Sequence, residues 1–173
     1  MDYKKYIASV EGFPKAGIIF RDVTPILEKP EVMGAAVKDM AQYAKDRGAD
    51  IILGPEARGF IFGVPVALEA GIGFAPVRKP GKLPRKTISQ EYELEYGTDT
   101  LCMHEDAVKP GQKIVIVDDL LATGGTVGAI IKMVRSIGAE VVGCAFVIEL
   151  DDLHGRDKLD GVDVYALTHY EGE

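Results

Sequence analysis

Four β-branched residues follow one another without a polar interruption at Ile114, Val115, Ile116 and Val117. A half-exposed strand alternates, so this run predicts a strand buried on both faces of a parallel sheet, ended abruptly by Asp118 and Asp119. After a small-residue loop, apolar positions return at helical spacing as far as Ile137, with Gly138 as the stop. The same period at Val32, Met33, Ala36, Val37, Met40, Ala41 and Ala44 predicts a helix over about 31–47, set between Pro30 and Gly48. A strand over 51–53 turns through 54–59 into a helix that ends at Gly71, and 74–78 is another strand. Period-two stretches on either side of Gly97 read as a long hairpin, and 141–150 and 162–167 as strands. Residues 3–9 suit a short helix. The Gly- and Pro-rich stretch after them suits a structured loop or a short strand.

Strands alternating with helices predict an α/β fold. The sheet is open, mainly parallel and flanked by helices, and it binds ligands outside the carboxyl ends of its strands. At 173 residues, with no linker or shift of composition, the chain is read as one domain over 1–173. A net charge of −7 argues against nucleic acid as the main partner, because such binding rests on cationic phosphate contacts. Positive charge is local instead: Arg78, Lys79, Lys82, Arg85 and Lys86 crowd together, as a small polyanion would require. Cys102 and Cys144 stand apart and form no metal pattern with His104, His154 and His169, which suits free thiols in a reducing compartment. No apolar run approaches the roughly 20 residues that cross a bilayer, so a soluble, cytoplasmic protein is expected.

The chemistry concentrates in V-D-D-L-L-A-T-G-G-T, residues 117–126. Asp118 and Asp119 can accept hydrogen bonds from vicinal ribose hydroxyls. Ala122, Thr123, Gly124, Gly125 and Thr126, opening a helix, can donate backbone N–H and hydroxyl groups to a phosphate. No G-x-x-x-x-G-K-[ST] or G-x-G-x-x-G occurs, which disfavours the common nucleoside triphosphate loops. The stretch resembles the 5-phosphoribosyl-1-pyrophosphate (PRPP) motif of the type I phosphoribosyltransferases. Further matching pieces are F-P-K-A-G-I-I-F-R-D-V-T-P, A-R-G-F-I-F-G, R-K-P-G-K-L-P and E-Y-E-L-E-Y-G, which together span most of 13–126.

The resemblance implies a purine-specific enzyme of that family, one that makes AMP and pyrophosphate from adenine and PRPP with Mg²⁺. It also implies a homodimer, a base-binding hood over about 1–30 and a flexible flap over about 79–103. Arg58 is then expected at the diphosphate together with Lys82, and Glu95 in the flap as acid/base for the purine. Tyr96 either packs over the closed site or lines the hairpin. The base falls to Ile19, Phe20 and Arg21, read by main chain with Phe20 pinned to the core, and to Leu120 as an apolar face. A non-proline cis peptide is implied at Glu56-Ala57. No protein side chain is assigned as a metal ligand, because Mg²⁺ is held chiefly by PRPP and water. The competing expectations are transfer to a 6-oxopurine and a regulatory domain that senses PRPP.

Overall fold

The computed structural model describes residues 1–94 and 96–172. A 3-10 turn at Tyr3–Tyr6 leads into an antiparallel ribbon of β1 (Ala8–Glu11) and β2 (Ile19–Asp22). Then come α1 (Thr24–Leu27), α2 (Pro30–Asp46), β3 (Ile51–Pro55), α3 (Arg58–Ala70) and β4 (Gly73–Val77). β5 (Thr87–Glu93) and β6 (Thr98–His104) form the antiparallel hairpin expected around Gly97. β7 (Lys113–Leu121), α4 (Gly125–Ser136) and β8 (Glu140–Leu150) follow. Two 3-10 turns, Asp151–Leu153 and Gly155–Lys158, then lead to β9 (Val164–Tyr170).

The central sheet is parallel throughout, in the order β4-β3-β7-β8-β9. Counted along the chain these five strands run 2-1-3-4-5, and the direction of winding reverses between β3 and β7. A crevice opens at such a reversal, because the connections leaving the two strands diverge to opposite faces. Both faces of β7 are covered, as its uninterrupted apolar run requires. Val115 and Val117 join the core under α2 and α3, and Ile114 and Ile116 join the one under α4 and β6. Each of the four is fully buried, worth about 1.5–3 kcal/mol per side chain.

Two expectations are corrected. β7 does not end at Val117 but runs on through Leu121, because β8 continues beside it and pairs Asp118 with Phe146, Leu120 with Ile148 and Leu121 with Glu149. Pairing with β3 stops at Ile116, so residues 117–121 of β7 have no β3 partner on that edge, and both aspartates lie there. At the amino end, helical structure covers only Tyr3–Tyr6, and the residues after it form β1, which gives β2 a partner.

Candidate active site

The turn from β7 into α4 encloses a cavity of about 100 Å³ lined by Asp118, Leu120 and the whole of 121–127. Gly124 caps α4 with φ +85°, a left-handed conformation in which a side chain would be strained. α4 therefore begins at Gly125, and its first-turn N–H groups, which have no partner within the helix, form an anion cradle with the loop. Thr123 is exposed at its mouth, and Thr126 is partly buried in its wall.

Asp119 is 5 % exposed and pairs with the Nε of Arg58, the first residue of α3. Asp118 donates nothing in its charged form; its Oδ1 accepts the Asp119 N–H at 2.8 Å. Burial first, and then the neighbouring Asp119 carboxylate, push Asp118 well above the ordinary carboxylate range. The two acids thus differ in role: Asp119 is the one paired with a cation, and Asp118 resists ionisation. Arg58 also lies 5.7 Å from the centroid of the Phe20 ring, so one guanidinium touches the acid pair and the hood. Phe20 packs edge-to-face on Phe13 at 5.2 Å and belongs to neither core cluster; it faces the crevice and does not pin the hood to the core.

Upstream of Arg58, the Glu56-Ala57 peptide is cis, as the resemblance implied. Glu56 Oε1 accepts the Lys79 N–H at 2.7 Å and the Arg78 Nε–H at 3.2 Å, which ties this loop to the start of the basic segment. Sequence reasoning had given Glu56 no task. Among the five cations, Arg78 pairs with Glu56, Lys79 with Asp99, Arg85 with Asp106 and Lys86 with Glu105. Lys82 is exposed and makes no ion pair among the described residues. The cluster therefore offers one uncommitted charge. Glu95 lies outside the described residues; Tyr96 beside it is 86 % exposed, away from any packed wall.

The hood presents main chain. Gly12 donates its N–H to Ile18 O at 2.8 Å, and the register places Val10 opposite Phe20 and Glu11 opposite Ile19. Antiparallel pairs alternate between hydrogen-bonded and open, so Phe20 exchanges its backbone bonds with Val10. Ile19 and Arg21 then turn theirs to the opposite edge, which no strand covers among the described residues. Ile19 C=O and Arg21 N–H are neighbours on that edge.

A further cluster that the scattered histidines did not announce brings Glu149, Asp151 and His169 within 4.8 Å of one another. Arg156 already engages both oxygens of Glu149 at 2.7 Å, so the group is an ion-pair network, poorly suited to a hard divalent cation. Cys102 and Cys144 are free and buried. No helix among the described residues is long and apolar enough to cross a membrane.

A 2-1-3-4-5 parallel sheet with an acid pair and a small-residue loop opening a helix at its reversal is the arrangement of the type I phosphoribosyltransferase class. Accordingly, residues 23–170 match the family model of the phosphoribosyl transferase domain. The chain is 58 % identical over 172 residues to an adenine phosphoribosyltransferase of Streptococcus thermophilus, covering 99 % of this chain and 100 % of the relative. The crystal structure of adenine phosphoribosyltransferase from Thermoanaerobacter pseudethanolicus superposes with a TM-score of 0.93 at 51 % identity, over 97 % of this chain and 98 % of that one. That of the Saccharomyces cerevisiae enzyme, complexed with adenine and an imino-altritol bisphosphate, superposes with a TM-score of 0.91 at 37 % identity over 96 % of each chain. The chain belongs to the adenine phosphoribosyltransferase family.

Proposed function

We propose that the protein transfers the 5-phosphoribosyl group of PRPP to adenine, giving AMP and pyrophosphate in purine salvage. The observation that carries this reading is the double contact of Arg58, with Asp119 on one side and Phe20 on the other. It joins the ribose-phosphate end and the base end into one crevice. The 5′-phosphate sits in the 122–126 cradle, and the ribose hydroxyls donate to Asp118 and Asp119. Arg58 and Lys82 receive the diphosphate. Adenine lies beside Phe20 and Leu120, with its N6 amino group donating to Ile19 C=O and its N1 accepting from Arg21 N–H. The base N9 then forms a bond to the anomeric carbon as the bond to the diphosphate oxygen breaks, and the electron pair leaves with pyrophosphate. Glu95 accepts the purine proton, a role worth about 10²- to 10⁴-fold in rate. Purified protein with Mg²⁺, PRPP and adenine should form AMP, followed by absorbance; no AMP under these conditions would overturn the reading.

Mg²⁺ fits the site as a passenger of the substrate. The acid pair offers no open carboxylate cage, since Asp119 is held by Arg58 and Asp118 resists ionisation. The ion would therefore be held chiefly by oxygens of PRPP and by water. Bound there, it supplies charge neutralisation of the departing diphosphate.

Base choice by main chain predicts that Ile19→Val keeps the preference for adenine over hypoxanthine within about threefold. A wrong base meets two mismatched backbone groups, which can discriminate by about 10⁴- to 10⁵-fold whatever side chain is attached. Competition between the two bases for PRPP measures it; appreciable IMP from the variant would assign the choice to side chains. The protein acts as a cytoplasmic homodimer. Supporting this, α3 presents Ile61, Val64 and Leu68 to solvent at 39, 40 and 77 % exposure, a helical stripe suited to a second copy. Leu68→Glu should shift the mass in size-exclusion light scattering from dimer to monomer, and an unchanged dimer would move the interface elsewhere.

A further inference from the structure

We infer that Gly155, held in place by the Arg156–Glu149 ion pair, is a positioning residue that sets the shape of the phosphate cradle from behind. Gly155 is buried and touches the loop, yet it is not part of the cavity lining. A Cβ at Gly155 would fall well inside 3.0 Å of Ala122 O, a separation that real Cβ atoms essentially never show, and 2.9 Å from Leu121 Cδ1. The reciprocal contact is as tight, because a Cβ on Gly124 would fall equally far inside that limit against Gly155 O. A third approach follows one turn into α4, where a Cβ on Gly128 would meet Lys158 O at 3.0 Å. The nearest atom at all three positions is backbone, along a seam between 122–128 and 155–158, so rotation of the Leu121 side chain would leave the tightest contact in place.

What fixes the far side of this seam is charge. Arg156 donates from Nε and from a terminal nitrogen to the two oxygens of Glu149, both at 2.7 Å, and Glu149 is 5 % exposed. Glu149 stands on β8 opposite Leu121 of β7. The strand that leads into the cradle and the segment behind it are thus referenced to the same point of the sheet. A shift of about 1 Å at such a support is enough to cost about 10²-fold where reacting groups must align.

The inference rests on the phosphoribosyl-transfer reading. Gly155→Ala should raise the KM for PRPP by about 10- to 100-fold and weaken ribose 5-phosphate binding equally, while the KM for adenine and the affinity for pyrophosphate stay within about threefold. Wild-type turnover in the same assay tests the transfer reading separately. Arg156→Gln, which slackens the support without inserting an atom, should show the same split at about 3- to 10-fold and decides the matter if Gly155→Ala does not fold. A loss shared equally by ribose 5-phosphate and pyrophosphate, or an unchanged KM for PRPP in a folded variant, would overturn the inference.

Discussion

Replacing Arg58 by glutamate is expected to lower kcat/KM for PRPP by about 10³-fold or more and the melting temperature by roughly 6–12 °C. Both losses start from one atom pair. Asp119 is 5 % exposed and takes the Arg58 Nε as its cation. Removing one partner of a buried pair costs about 3–5 kcal/mol. The side chain of Arg58 is 50 % exposed, so solvent screening places the value near the lower end. About 3 kcal/mol corresponds to the stated shift at 2–4 °C per kcal/mol for a chain of this size. The kinetic loss adds two effects: a charge-assisted bond to the diphosphate worth about 1.5–3 kcal/mol, and an Asp119 no longer aimed at the ribose. Calorimetry and steady-state kinetics on the same preparation separate them. Pyrophosphate affinity should fall further than AMP affinity; equal losses would confine Arg58 to holding Asp119.

Asp118→Asn is expected to act in opposite directions on stability and on function. Its raised pKa makes the carboxyl a source of stability while protonated. That stability is fully present below the ordinary carboxylate value and is lost as pH rises through the raised one. Asparagine cannot ionise and keeps it. The variant should therefore melt higher than wild type at pH 8, with the gap closing as the pH is lowered toward 4. The affinity for PRPP should fall by about 10- to 100-fold, because the amide NH2 takes the place of an acceptor oxygen and leaves a ribose hydroxyl unpaired, at a cost of about 1–3 kcal/mol. A melting gap that is constant across this range would mean that Asp118 is ionised throughout.

The opposed behaviour of the two aspartates marks how far the sequence could be read. The cradle was legible because its parts are contiguous: an apolar strand, two acids, small residues and a helix. α2 and α4 were legible because a one-sided apolar period survives in each. The partnership of Arg58 with Asp119 was not, since 61 residues separate them and only the meeting of β3 with β7 brings them together. Nor was the continuation of β7 through both acids. Carboxylates ordinarily end a buried strand, and here β8 supplies the ladder while Arg58 compensates the charge. β1 and β2 gave little signal, because the alternation of Ala8, Ser9, Val10 and Glu11 is only four residues long, Ile19, Phe20, Arg21 and Asp22 do not alternate, and Pro14 and Gly17 interrupt the stretch. The 151–158 segment has no period at all, and its role is visible only in the closeness of its backbone to the cradle.

The uncovered edge of β2 bears on how the enzyme could be re-engineered. If Ile19 C=O and Arg21 N–H read the purine, the recognition code is written in atoms that every amino acid except proline possesses. Libraries that randomise the side chains at these two positions would then sample packing and turnover without sampling base preference. A change of preference requires a change of path: an inserted or deleted residue between Gly12 and Ile18, where the turn fixes which strand residues face outward. One residue of slippage would bring Phe20 to the open edge in place of its neighbours. Directed evolution toward a 6-oxopurine should accordingly accumulate length variants in this turn before it accumulates substitutions in the strand.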